Sequence, residues 1–211
     1  SIEKLNIVLE KYLPGEAVTY CANLWLDHKF DFKVTRKRAT KLGDYRYYFQ
    51  TKRHCITING DLNPYAFLVT YLHEVAHLKT NLAHGMKIKP HGTEWKNNFS
   101  ALLIPVKEIF PEVILEPLEK YIKNPKASSC SDFELLKALS SFDDHVQGVF
   151  LSDVSAGEIF TFNKRVFVKE EKRRTRSLCK EVKTGRKYLI PDSARIIPVT
   201  QNLGQSTQNI S

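Results

Sequence analysis

No window of the 211 residues approaches the run of roughly 18 apolar residues that a membrane-crossing helix needs. No basic-then-apolar stretch opens the chain, so no secretory leader is expected. Cysteine is sparse. Cys21, Cys55, Cys130 and Cys179 are scattered, and no two form a C-x-x-C pair. That argues against a disulfide framework and suits reduced thiols in a cytoplasmic compartment. Internal repeats are missing as well. The expectation is a cytoplasmic protein, associated with the nucleoid if it binds DNA, without membrane contact and most simply a monomer.

Acidic residues are also in deficit. Aspartate and glutamate number 23 against 32 lysines and arginines, a net charge of +9. Such a balance favours acidic partners, nucleic acid above all, through counterion release at phosphates. The cations cluster at Arg36-Lys37-Arg38, at Lys52-Arg53 and from Lys169 to Arg176. Arg36, Lys37, Arg38, Lys172, Arg173, Arg174 and Arg176 are the candidate nucleic-acid-binding residues. Tyr45, Tyr47, Tyr48 and Phe49 offer rings on which exposed bases can stack. The alternative is a solvated basic surface over core aromatics, because charge alone is not selective.

What the chain does contain is His73-Glu74-Val75-Ala76-His77, an H-E-x-x-H pattern behind the apolar run from Tyr65 to Leu72. Residues four apart project from one helix face, so both imidazoles can bind one metal ion. The intervening glutamate then lies beside the open coordination position, where it can take a proton from the water that the metal activates. At about 100° per residue, His77 falls about 40° from His73, with Ala66, Val69 and Thr70 nearby. Phe67, Leu68, Tyr71, Leu72, Val75, Leu78 and Leu82 form the apolar back. By chance alone, a chain of this length holds the pattern about once in a hundred.

A catalytic zinc needs a third protein ligand. His84 stands two turns beyond His77 on a continuing helix, about 10 Å away. His91 is the better candidate. Gly85 and Pro90 end the first helix, and Trp95, Phe99, Leu102 and Leu103 keep amphipathic spacing in a second. His91 therefore opens a helix that can pack on the first.

Around this motif, Ile2 to Leu13 follows helical spacing, and Glu16 to Asp27 reads as a second helix. Residues 29–35, 43–50 and 55–58 read as strands, with 53–58 as the candidate edge for an extended substrate. Asn63 is placed to cap the long helix. The result is an α+β fold, helices flanking a small sheet. Pro111, Pro117 and Pro125 punctuate the following region, and 124–132 is polar, the expected boundary. Residues 133–142 suggest one more helix, and from Val149 short strands take over. The expected domains are 1–125 as the metal-binding domain, 133–200 as a helix plus β module, and 201–211 as a flexible tail.

With His73-Glu74-Val75-Ala76-His77 followed by His91-Gly92-Thr93-Glu94-Trp95, the chain resembles the SprT-like zinc metalloprotease family (SprT and Spartan-like proteins), as a bacterial-type member. Thr35-Arg36-Lys37-Arg38 and Leu42-Gly43-Asp44-Tyr45 resemble the strand and glycine turn that precede the zinc helix in that family. The resemblance covers residues 1–125. It implies a zincin-like core, one Zn2+ held by His73, His77 and His91, Glu74 as the catalytic residue, and hydrolysis of peptide bonds in a protein substrate. Many members also bind DNA, which implies action on DNA-associated proteins. The C-terminal zinc-ribbon cysteines of the family are missing, so residues 147–198 are read as a ribbon-like module without its metal. The expectation is a zinc-dependent endopeptidase. The alternative is a nucleic-acid-binding protein whose zinc site is structural or catalytically silent.

Overall fold

The computed structural model describes residues 2–38, 41–85, 87–127, 131–144 and 147–199. It is a mixed α+β structure in two compact units, residues 1–144 and 145–211. The segment 201–211, expected to be a flexible tail, lies outside the described residues, as does Cys130. No described helix is long and apolar enough to cross a membrane.

The first unit runs α1 (Ile2–Tyr12), α2 (Val18–His28), β1 (Asp31–Thr35), β2 (Gly43–Tyr48), β3 (Arg53–Asn59), α3 (Pro64–His84), α4 (Thr93–Leu103), α5 (Glu112–Lys123) and α6 (Phe133–Ser140). Its sheet has the order β1-β3-β2, with β1 parallel and β2 antiparallel to β3. Alternation sorts the side chains. Ile56 and Ile58 are fully buried in the core that α3 shares, whereas Lys33, Arg46 and Arg53 are exposed.

The central position of β3 corrects one expectation. Residues 55–58 are paired on both sides and 53–54 with β2, so β3 is the central strand and not the edge. The edges are β1 and β2, and β2 is the one that borders the cavity with Glu74. Alternating composition marks a strand but not its place in the sheet.

α3 is the spine of the unit. Asn63 caps it, its Oδ1 accepting from the Ala66 N–H at 3.0 Å, and Pro64 occupies the first turn, where no backbone donor is missed. Phe67, Leu68, Tyr71, Leu72, Val75 and Leu78 are buried as the helical spacing expects, but Leu82 is half exposed, in the last turn of the helix. Gly85 ends the helix with φ 74°, its N–H bonded to the Asn81 carbonyl at 2.8 Å. α4 packs alongside through Trp95, Phe99, Leu102 and Leu103, all buried, and Asn98 donates to Thr80 Oγ1 at 2.9 Å. Pro117 punctuates nothing: it lies inside α5. Burial of Ile114, Leu118 and Tyr121 outweighs the penalty of about 3 kcal/mol for an interior proline.

The expected domain boundary is also corrected. α6 belongs to the first unit and not to the β module. Leu135, Ala138 and Leu139 are buried in the first core. The Asn63 amide that caps α3 also donates to the Leu139 carbonyl at 2.9 Å and to Asp143 at 2.6 Å. Those long-range bonds are invisible in local composition.

The second unit is a six-stranded antiparallel sheet in the order β4-β9-β5-β6-β7-β8. Its strands are β4 (Val149–Phe150), β5 (Ile159–Phe162), β6 (Arg165–Lys172), β7 (Arg176–Glu181), β8 (Lys187–Pro191) and β9 (Arg195–Pro198). Leu151, Phe160, Phe167, Cys179, Ile190 and Ile196 fill its core.

Candidate metal centre

Three histidine rings converge beside α3. His73 and His77 come from one face of that helix, and His91 comes from the loop before α4. Their Nε2 atoms form a triangle with sides of 3.2 Å (His73–His77), 3.0 Å (His77–His91) and 3.3 Å (His73–His91). Four-coordinate zinc at about 2.0–2.1 Å from each nitrogen places ligand nitrogens about 3.3 Å apart. The triangle therefore matches one face of a metal tetrahedron and leaves the fourth corner open. Among the described residues, these three histidines form the group that could hold a metal ion.

His84, the rival third ligand, ends α3 and is not part of the group. His91 reaches the site because its backbone adopts the left-handed region, φ 59°. That conformation is uncommon for a residue with a side chain and clusters at functional sites. The Gly92 N–H, bonded to the Lys89 carbonyl at 3.0 Å, fixes the turn.

The rings are held from behind by Trp95. Its ring lies 4.7 Å from His73 and from His91, and 5.4 Å from His77, centroid to centroid. Its Nε1–H points to the His73 carbonyl at 3.4 Å. Phe99 supports His73 at 5.4 Å. In this apolar setting burial lowers the basicity of all three histidines. His73 falls well below its ordinary value, by burial and then by His77 and His91. His77 falls to about 4, by burial and then by His91, and His91 falls by burial. All three are neutral at pH 7, the form that binds a cation.

Glu74 lies one residue along the helix and is 6% exposed. Burial, and then the Asp44 carboxylate, push its pKa up to about 8. Arg38, the Tyr45 backbone N–H that donates to the carboxylate, and Lys41 act in the opposite direction. A divalent cation at the histidines would further favour the charged form. Glu74 and the histidines line a cavity of about 440 Å³, bordered by Gly43, Asp44 and Tyr45 of the β2 edge. That volume is in the range of ligand-binding clefts.

Of Tyr45, Arg46 and Tyr47 on β2, only Tyr45 borders this cavity. Its hydroxyl bonds His54 Nδ1 at 2.9 Å, and its ring lies parallel to His77 at 6.4 Å. Arg46 projects from the opposite face of the sheet and pairs with Asp44 at 2.6 Å. Tyr47 packs on Phe49 and His54.

The basic candidates are not alike. Arg36 and Lys37 are exposed, with Lys37 3.4 Å from Asp61. Arg38 is a structural clamp. Its guanidinium donates to Asn59 Oδ1 at 2.7 Å and to Thr57 Oγ1 at 3.0 Å. Asn59, 1% exposed, returns bonds to the Lys41 and Arg38 carbonyls at 3.0 and 3.3 Å. This network anchors the segment that delivers Gly43 to Glu74, a role that a run of three cations does not signal. Lys172, Arg173, Arg174 and Arg176 are exposed around the β6–β7 turn of the second unit. Lys169, counted with them by sequence, is buried instead and donates to the Leu151 and Val154 carbonyls at 2.9 and 2.6 Å.

Sequence reading missed the contact of Gly43 and the Tyr45 N–H with Glu74. The one available signal was a glycine opening an alternating strand. No protein-family model, curated protein or solved structure matches the chain.

Proposed function

We propose that this protein is a zinc-dependent endopeptidase of the SprT-like, zincin-like kind, acting on protein substrates that include DNA-associated ones. The observation that carries the reading is the three-nitrogen triangle with a buried glutamate beside it, open to a cavity bordered by a strand edge. The all-histidine donor set suits zinc at a catalytic site, where three protein ligands leave one position free. The H-E-x-x-H helix followed by His91-Gly92-Thr93-Glu94-Trp95 supports the family reading.

Bound by His73, His77 and His91, zinc supplies Lewis acidity towards a carbonyl oxygen and towards water. Glu74 accepts the proton of the attacking water and returns it to the leaving amine. The Tyr45 N–H fixes one carboxylate oxygen and so orients the base. The β2 edge, which lacks a strand partner among the described residues, holds an extended peptide by strand addition. Tyr45 is the candidate second donor to the developing oxyanion.

The test pairs metal analysis with Glu74→Gln. The wild type should carry close to one equivalent of zinc after loading. The variant should keep the metal and lose at least about a hundredfold in turnover, the scale of a lost general base. Wild-type turnover in the variant, or a protein that cannot be loaded with zinc, would overturn the reading.

A further inference from the structure

Tyr45 forms the wall of the metal cavity beside His77, and its ring is held by a residue outside that cavity. β3 presents His54 on the same face as Ile56 and Ile58, the face turned to the core. Tyr47 stands opposite His54 in the β2–β3 register, which makes Tyr45 its diagonal neighbour. Diagonal pairs lie within reach of aromatic side chains. The Tyr45 hydroxyl and His54 Nδ1 meet at 2.9 Å. Among the described residues, His54 is the one hydrogen-bond partner of that hydroxyl.

The imidazole is itself fixed. Its centroid lies 6.0 Å from Tyr45 and 4.9 Å from Tyr47, and Phe49 closes on Tyr47 at 5.0 Å. Tyr45 lies parallel to His77, with 5° between the planes. A row of rings thus leads from the β2–β3 turn to His77, with one hydrogen bond inside it. Packing alone does not call for that bond. Two phenyl rings would fill the same half-buried space without desolvating a hydroxyl and an imidazole.

Both groups are uncharged at pH 7. Burial, and then Tyr47, push the Tyr45 hydroxyl up, so it keeps its proton. Burial, and then His28, lower the basicity of His54. A neutral imidazole carries one N–H, and a hydroxyl has one proton and two acceptor sites. With the proton on Nδ1, the Tyr45 oxygen accepts from His54 and keeps its own proton to donate. With Nδ1 bare, the hydroxyl donates to His54 and has nothing left for a substrate.

We infer that His54 is the positioning residue of this cavity: its Nδ1–H holds the Tyr45 oxygen at the wall beside His77 and leaves the phenol proton to a substrate carbonyl. His54 acts through Tyr45 and touches no substrate. The donor role of Tyr45 rests on the peptidase reading, whereas the tautomer and the placing of the ring do not.

Nitrogen NMR of the zinc-loaded full chain with labelled histidine reads the tautomer, because protonated and bare ring nitrogens resonate far apart. The His54 signals, assigned by their loss in His54→Asn, should show a protonated Nδ1. In Tyr45→Phe that nitrogen should shift. Kinetics use casein as an unfolded substrate, with zinc content and melting midpoint measured on every sample. Tyr45→Phe should lower kcat about a hundredfold, the scale of a lost oxyanion donor. His54→Ala should lower kcat at least about tenfold with KM within about twofold, since the bond serves the transition state. His54→Asn, whose amide N–H can stand where Nδ1–H stood, should recover most of that loss. Tyr45→Phe with His54→Ala should be no slower than Tyr45→Phe alone, within about twofold, because both changes remove one interaction. A bare Nδ1, an undiminished kcat in His54→Ala, no recovery by His54→Asn, or losses that add in the double variant would each overturn the inference. A zinc-loaded wild type that cuts neither casein nor histones overturns the peptidase reading and the donor role with it. The nitrogen spectrum needs no substrate and tells the two failures apart.

Discussion

Gly43 packs directly on Glu74. A methyl group added to Gly43 would stand 2.8 Å from Glu74 Cγ and from Thr70 Cγ2, and would overlap Glu74 Oε1. The glycine is needed for space, since it opens an ordinary strand. It lets the β2 backbone come close enough for the Tyr45 N–H to bond the carboxylate.

Gly43→Ala should therefore displace Glu74 while leaving the three histidines in place. Overpacking costs about 1–3 kcal/mol of stability. Under the proposed peptidase reading, a shift of about 1 Å at Glu74 costs about a hundredfold in turnover. Zinc content and kcat measured on the same sample test this. Undiminished kcat would show that the contact does not position the base.

Metal removal should destabilise the fold, because the triangle exists only when α3 and α4 are packed together. A chelator should lower the thermal midpoint of the wild type by several degrees, as expected of a ligand that binds only the folded state. His91→Ala should abolish the difference between zinc-loaded and chelated samples. A remaining difference would point to other ligands.

Asn59→Ala should be costly for a residue that touches no substrate. It removes the acceptor of the Arg38 guanidinium and leaves the Lys41 carbonyl without its donor. Unsatisfied buried groups cost about 1–3 kcal/mol each. The expected loss, read by urea unfolding, is about 2–3 kcal/mol, with turnover reduced because the segment before Gly43 loosens. A loss within about 0.5 kcal/mol, the range of surface substitutions, would remove the clamp from the account.

In the second unit, Arg165 and then the Thr184 hydroxyl hold Glu181 down to about 2, below its ordinary value of 4.5. A depressed carboxylate stabilises the fold above its unfolded pKa and loses that effect as pH falls through the folded one. The β unit should lose stability between about pH 4.5 and 2, and Glu181→Gln should flatten that part of the profile. Identical acid titrations of the two proteins would count against the pair.

The grouping of histidines that could hold a metal ion was legible because it rests largely on local geometry. Four residues per near-turn fix His73 and His77 on one face whatever surrounds them. His91 followed from the need for a third ligand and from the amphipathic spacing of Trp95, Phe99, Leu102 and Leu103. Most helices and the strands of the first unit were legible for the same reason, since period and caps act within a few residues, whereas α5 was not, because Pro117 lies inside it. α6 was found as a helix but assigned to the wrong unit, because its attachment runs through Asn63, 76 residues from Leu139.

By itself, the sequence determined the placing of two histidines on one helix face, the α+β class and the excess of cations, all properties of neighbouring residues or of composition. Tertiary structure alone decided what depends on packing between distant segments. β2 and not β3 is the strand edge beside Glu74, because β1 occupies the other side of β3. Arg38 is a clamp while Arg36 has no ion pair among the described residues, because Arg38 meets Asn59 and Thr57. Gly43 touches Glu74 because β2 and α3, separated in sequence by β3, pack on one core. Such contacts are selected by the total burial of the folded chain, and no local pattern encodes that sum.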